Sequence, residues 1–326
     1  MKFINVKKLK TALLTTVIFL SACSNPKDTI VKEKQTFTIN MVSHGQASDP
    51  FWSTVKNGAE AAAKKLGVNL IYQAPTNFDM VTMAQMIDAV TATAPHGLIV
   101  SVPDIAALKK SIGNAINKNI PVIAINSGQD IGKELDILTY IGQSEFEAGM
   151  KAAEGLLKYN INKAVCINHE VGNISLDHRE EGFKYILNKN GIDVTTIPID
   201  AADPSETKEL VRSYLKTNPG TNAILTLGPL GALPILKLMK EINQDGRIKM
   251  ATFDFTPEII NGILKEEVVF ALDQQQYLQG YLPVVFLYLY LTNQNKPAFS
   301  ELQTGPSFIT KENAQQILEL SKRGTR

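Results

Sequence analysis

Cysteine is nearly absent from this sequence. Cys23 and Cys166 are the two in 326 residues, so neither a disulfide framework nor a cysteine-built metal cluster can organise the chain. Net charge is lacking too: Lys and Arg number 33 against 32 Asp and Glu, with no long basic block, which argues against nucleic acid or an anionic membrane surface as a partner. No hydrophobic run reaches the ~20 residues that a spanning helix needs. The nearest approach, Tyr281–Leu291, reads as a buried helix. Catalytic signatures are also missing. There is no G-x-S-x-G and no H-E-x-x-H, Asn126-Ser127-Gly128 is not a phosphate loop, and no cofactor or metal is expected.

What is present begins with an export signal. Lys2, Lys7, Lys8 and Lys10 form a positive segment before the apolar run Thr11–Leu20, and no acidic residue occurs before Asp28. That run suits the apolar segment of a secretory signal and is too short for a membrane span. The next residues, Leu20-Ser21-Ala22-Cys23, resemble the lipobox of bacterial lipoproteins, in which the Cys thiol is acylated and the peptide is cut just before it. The resemblance implies a signal peptide over 1–22, a lipid-bearing Cys23 and a polar tether over 23–35, with the chain exported and anchored at the bacterial cell membrane. An acyl chain contributes ~0.8 kcal/mol per buried methylene, so several hold firmly. With Cys23 acylated, Cys166 has no disulfide partner and reads as a buried core thiol within Ala164–Ile167.

From Thr36 onward, short apolar runs alternate with helical spacing. Phe37–Val42, Val68–Tyr72, Gly97–Val102, Pro121–Ile125, Ala164–Ile167, Val194–Ile197, Ala223–Leu227 and Lys249–Phe253 each fit a strand buried on both faces. Between them, Val55, Ala59, Ala62 and Leu66 form one stripe, and Leu210–Leu215 and Leu230–Ile242 behave similarly. The alternation predicts βαβ units and parallel sheets. It also occurs twice. Helix, Gly turn, strand, helix, strand runs through Gly67 in the first half and through Gly191 in the second, which predicts two similar lobes rather than one large sheet.

Ligands of open α/β sheets bind beyond the carboxyl ends of the strands. That rule selects His44, Gln46, Asp49, Phe51 and Trp52 after the first strand, Asp104 after a later one, and Asn126-Ser127 after the next. It also selects His169-Glu170 with Asn173 and Asp177, then Gly228-Pro229, Asp254, and Gln274 to Gln276. Carboxylates and amides pair with adjacent hydroxyls, and aromatic faces suit the C–H surface of a sugar ring. Each residue also has a plainer reading. Asp49-Pro50 can be a turn into a helix, Trp52 can be core packing, Asp254 can be a cap and the glutamine run can be a solvated connection.

Over about Thr36 to Ala314 the chain resembles type I periplasmic sugar-binding proteins, the ribose- and galactose-binding receptors of ABC importers. The matching segments are FTINMVSHGQASDPFWSTVKNGAEAAAKKLGV, NIPVIAINSG, YIGQSEFEAGMKAAEGL, KMATFDFTPEIINGI and VVFALDQQQYLQGY. The resemblance implies two doubly wound lobes joined by three crossovers, an N-lobe of 36–141 plus 276–304 and a C-lobe of 142–275 plus 305–326. It implies ring stacking by Phe51 and Trp52, hydroxyl contacts from Asp49, Asn126-Ser127, Asp254 and Gln274, and further contacts near Asn173, Asp177 and Arg179. Three features depart from the family. Its Asp-Arg pair has become Asn126-Ser127, its Asn-Asp has become Gly228-Pro229, and His44, Gln46, His169 and Glu170 are additional.

The expected function is capture of a monosaccharide or related polyol by lobe closure and delivery to an ABC permease, by a monomer. Two alternatives stand beside it: a receptor passing a sugar-like signal to a sensor, and a sugar-cleaving enzyme using the carboxylate pair Glu170 and Asp177.

Overall fold

The computed structural model describes residues 36–45, 49–243 and 245–326. The expected signal, Cys23 and Gln46 lie outside these residues.

The first lobe is built from β1 (Thr38–Val42), α1 (Pro50–Leu66), β2 (Asn69–Gln73), α2 (Met80–Ala92), β3 (Gly97–Ser101), α3 (Ile105–Asn117), β4 (Val122–Ile125) and β5 (Thr139–Gly142). The chain then crosses to α4 (Glu145–Leu157), β6 (Lys163–Asn168), α5 (Ile174–Lys189), β7 (Asp193–Pro198), α6 (Pro204–Thr217), β8 (Ala223–Thr226), α7 (Pro229–Ile242), β9 (Lys249–Phe253), α8 (Pro257–Leu264) and β10 (Phe270–Asp273). It returns for α9 (Gln276–Asn293) and β11 (Glu301–Gln303), and crosses a third time to β12 (Ser307–Ile309) and α10 (Lys311–Ser321). Two six-stranded sheets result, ordered β11-β5-β4-β3-β1-β2 and β12-β10-β9-β8-β6-β7.

Strand order reverses at the same place in both sheets, as a duplicated doubly wound unit requires. Each sheet has an apolar layer on each face. In the first, Ile39 and Met41 pack toward α1 and α9, while Val42 joins the layer under α2 and α3. Burying such a side chain fully stabilises by ~1.5–3 kcal/mol. Cys166 belongs to the corresponding layer of the second lobe, and burial pushes its thiol far above the ordinary range.

Three expectations need correction. β2 and β7 are edge strands, so their faces are only half covered, where the apolar runs suggested burial on both sides. β12 pairs antiparallel with β10, so the second sheet is mixed at one edge. Gly142 stays in the first sheet because β5 pairs with β11 through Gly142 and Gln303, one residue beyond the expected lobe boundary. Residues 139–142, 301–303 and 307–309 carry no long apolar run, and only their partners make them strands. Among the described residues no helix is long and apolar enough to cross a membrane, and α9 is half-buried.

In each lobe two helices cross at a pair of glycines. A Cβ on Gly58 would lie 2.1 Å from the Tyr277 carbonyl oxygen, and one on Gly280 would lie 1.8 Å from that of Val55. In the second lobe, Gly149 faces the Arg179 carbonyl and Gly182 that of Phe146, each at 2.0 Å. Only glycine lets these backbones approach so closely. The crossing of α4 and α5 places the start of α4 beside Arg179.

Candidate ligand-binding cleft

The carboxyl ends of both sheets face one cavity with about 340 Å³ of empty volume. The first lobe contributes His44, Asp49, Phe51, Trp52 and Asn126; the second contributes His169, Glu170, Asn173, Arg179, the segment Leu227–Pro229 and Asp254. Gln274 enters from the second crossover.

Local structure places each group. Asp49 caps α1, accepting the Phe51 N–H at 2.9 Å, with Pro50 opening the helix. The capping reading and the cavity reading therefore both apply to it. Trp52 is 3% exposed and packs into the core as well as the cavity wall, with the rings of Phe51 and His44 edge-on at 5.1 and 4.9 Å. Asn126 and Asp254 follow the corresponding strands β4 and β9, and both adopt left-handed backbone, φ 62° and 56°. Asn and Asp tolerate that conformation better than most residues, which suits them to re-aim a side chain at a strand end. Asp254 does not cap α8, since Thr256 does.

The glutamine run is not solvated. Gln274 donates to Asp254 Oδ2 at 2.9 Å and accepts from Asn126 at 3.1 Å, so one side chain ties the two lobes' left-handed residues together. Gln276 donates to Asp254 Oδ1 at 2.8 Å. Thr304, from the third crossover, donates to the Gln274 carbonyl at 2.7 Å and its N–H reaches the Gly142 carbonyl at 2.6 Å. The crossovers and the cavity floor thus form one hydrogen-bonded unit.

Across the cavity mouth, His44 Nε2 lies 3.7 Å from Glu170 Oε2 and 3.4 Å from Asn173 Nδ2, and the Ile174 N–H donates to the Pro103 carbonyl at 3.0 Å. Asn173 caps α5 and donates to Glu170 at 2.8 Å. Gly228 leaves room for the His169 ring: a Cβ there would lie 2.5 Å from His169 Cε1. A side chain at 228 and the His169 ring therefore compete for the same space.

Three expected residues are not in the wall. Ser127 is buried behind Asn126 and donates to its Oδ1 at 3.0 Å. Asp104 caps α3, accepting from the Ala107 N–H at 3.0 Å, and lines a separate outer groove with Asp177. The pair Glu170 and Asp177 is thereby divided between two surfaces. The strand-end rule also selected Glu170, Gly228-Pro229 and Gln276, whereas Leu227 and Glu145 carry no local signal and were not selected.

Burial dominates the electrostatics. It raises Asp254 to about 7 against the pull of Arg179 and Gln274. It raises Glu170 to about 7 against the Asn173 hydrogen bond, with Asp49 adding to the rise, and Asp49 itself to about 6. Burial, assisted by Arg179, lowers His44 and His169 to about 3. The sign of the pH effect follows. Below the ordinary imidazole value of 6.5 the unfolded chain takes up protons that the folded histidines refuse, so they make stability rise with pH. The carboxyls act oppositely, because the folded chain keeps protons that the unfolded chain has released. At pH 6.5 the unfolded histidines are still half protonated, so the two effects oppose each other up to about pH 7.5, above which only the carboxyl effect remains. Raising the pH from 6.5 to 8 without added sugar is expected to lower the unfolding free energy by ~1 kcal/mol net, the carboxyl effect outweighing that of the histidines, measured by urea denaturation. A flat or rising stability would show that these carboxyls are not held in this environment.

Comparison with known proteins places this arrangement. Residues 39–295 match the model of the periplasmic binding protein domain. The xylose/arabinose-binding protein XylF of Sulfolobus acidocaldarius is 25% identical over 90% of this chain and 75% of its own length. The ribose import binding protein RbsB of Haemophilus influenzae is 25% identical over 86% of this chain and 92% of its own. The crystal structure of a carbohydrate transporter from Acidothermus cellulolyticus 11B in complex with myo-inositol superposes with a TM-score of 0.83 at 31% identity, covering 90% of this chain and all of that one. The two six-stranded lobes, the cavity at their strand ends and these matches together make the chain a member of the periplasmic binding protein family.

Proposed function

We propose that this chain captures an uncharged monosaccharide or cyclic polyol between its lobes and hands it to an ABC importer, acting as a binding protein without catalysis, exported and held at the membrane by a lipid on Cys23. The supporting observation is the composition of the cavity. Carboxylates and amides from both lobes converge on it beside two aromatic rings, the pattern that adjacent hydroxyls and a ring's C–H face require. Each wall amide already spends a donor on a neighbour, Asn126 on Gln274, Gln274 on Asp254 and Asn173 on Glu170, while the Asp49, Glu170 and Asp254 carboxyls add acceptors, so a ligand rich in hydroxyl groups, which both donate and accept, suits the wall. Because the contacts come from both lobes, binding favours the closed arrangement. The relatives named for xylose, arabinose and ribose, and the inositol complex, support this ligand class.

Trp52 is the single tryptophan of the chain and lines the cavity, so its fluorescence reports occupancy directly. Titration with pentoses, hexoses and inositols is expected to change Trp52 emission saturably for at least one, with a matching rise in melting temperature by mass action. No response to any of them at millimolar concentration would overturn the reading.

A further inference from the structure

Arg179 spends three of its five N–H groups on the protein. Nε and Nη2 donate to the two oxygens of Glu145, the latter at 2.9 Å, and Nη1 donates to the Leu227 carbonyl at 2.9 Å. The guanidinium also lies 4.5 Å over the Phe253 ring. Two N–H groups are left for the cavity, where Asp254 Oδ2 stands 4.0 Å from Nη1. Glu145 is not part of the cavity wall. It is buried at the start of α4, its side chain 3% exposed, and Gln143 of the first crossover donates to its Oε2 at 2.8 Å.

The geometry decides which face of the guanidinium a ligand meets. The Nε/Nη2 edge is the fork that takes a carboxylate or phosphate by two parallel hydrogen bonds, and Glu145 already occupies it. Charge points the same way. Among the described residues of the cavity wall Arg179 is the one permanent cation, facing Asp49, Glu170 and Asp254 across the space and Glu145 behind it. The structure thus assigns Glu145 as a positioning residue that sets the charge selectivity of the cleft. By filling the fork and balancing the charge of Arg179, it leaves a donor for hydroxyl oxygens and no receptor for anions, so neutral polyols are accepted and acidic or phosphorylated ones refused. This rests on the reading of the cavity as a sugar site.

The selectivity is measured by calorimetry at pH 7.5 with two matched pairs, myo-inositol against myo-inositol 1-phosphate and glucose against glucuronate, using whichever neutral member binds. The wild-type chain is expected to bind the anion at least about 100-fold more weakly. In Glu145→Gln, which keeps the shape and frees the guanidinium charge, that ratio is expected to fall by about tenfold or more, while Glu145→Asp, which keeps the charge, stays near wild type. A purely structural role would weaken both members alike and leave the ratio unmoved, which would overturn the assignment. An anion bound by wild type within tenfold of its neutral partner would also overturn it, and this decides the matter even if Glu145→Gln shows no cooperative melt. If wild type binds neither neutral probe nor any sugar of the Trp52 panel, it is the sugar reading that fails. A wild type that binds sugar with an unmoved ratio in Glu145→Gln leaves the sugar reading standing and removes the role of Glu145.

Discussion

Asp254→Asn is expected to weaken sugar binding by about 100-fold or more while the protein melts within a few degrees of wild type. The argument turns on what Asp254 is free to do. Its two oxygens each accept one amide hydrogen, from Gln274 and Gln276, and each keeps a lone pair facing the cavity. A charge-assisted hydrogen bond is worth ~1.5–3 kcal/mol, so a carboxylate receiving two hydroxyls supplies ~3–6 kcal/mol at most, part of which a neutral amide retains. The fold is expected to tolerate the change for two reasons. Asn adopts the left-handed backbone of position 254 readily, whereas Asp254→Ala adds a strain cost of ~1 kcal/mol. Removing the charge also relieves a carboxyl that burial has already pushed to about 7. Calorimetry with the sugar that gives the largest Trp52 response provides the measurement. Affinity within threefold of wild type would mean that the ligand does not touch this residue.

Gly149→Val is expected to abolish binding and to destabilise the chain by ~4 kcal/mol or more, to the point of failing to fold. A Cβ at 149 would lie 2.0 Å from the Arg179 carbonyl oxygen, and backbone cannot rotate away as a side chain can. Relief requires α4 and α5 to separate, which opens the layer containing Phe183 and Leu187 and draws Glu145 off Arg179. Gly280→Val should act comparably through α1 and α9. Gly113→Ala is the internal control. It lies in the interior of α3 with the nearest side-chain atom 3.7 Å from a new Cβ, so it is expected to gain ~0.5–1 kcal/mol from helix propensity alone. Thermal and urea unfolding of the three variants check the ordering. A Gly149→Val protein that melts with wild-type stability would disprove the tight crossing.

These two residues also mark how much of the protein was readable beforehand. Asp254 was found from its position alone: it follows an apolar strand, and strand ends of open sheets are where ligands bind. The same rule found His44, Asp49, Asn126 and His169, which line the cavity together. It could not separate them from Asp104 and Asp177, which also follow strands or open helices but point to the outer groove. Glu145 and Gly149 gave no signal. Glu145 reads as an ordinary acidic residue in the first turn of a helix, favourable there on electrostatic grounds. Its role depends on Arg179, 34 residues away, and on a glycine crossing that brings the two helices together.

By itself, the sequence determined the alternation of strands and helices, its duplication, and the set of loops from which a ligand site could be drawn. These are local properties, written in periods of two and 3.6 residues and in turn chemistry. Only the tertiary structure decided which loop residues face one another, that residues 301–303 and 307–309 are strands, and that Gln274 joins Asn126 to Asp254. The reason is physical. Asn126 and Gln274 are 148 residues apart, and their hydrogen bond, like the pairing of β5 with β11, exists only once segments distant along the chain have been brought side by side.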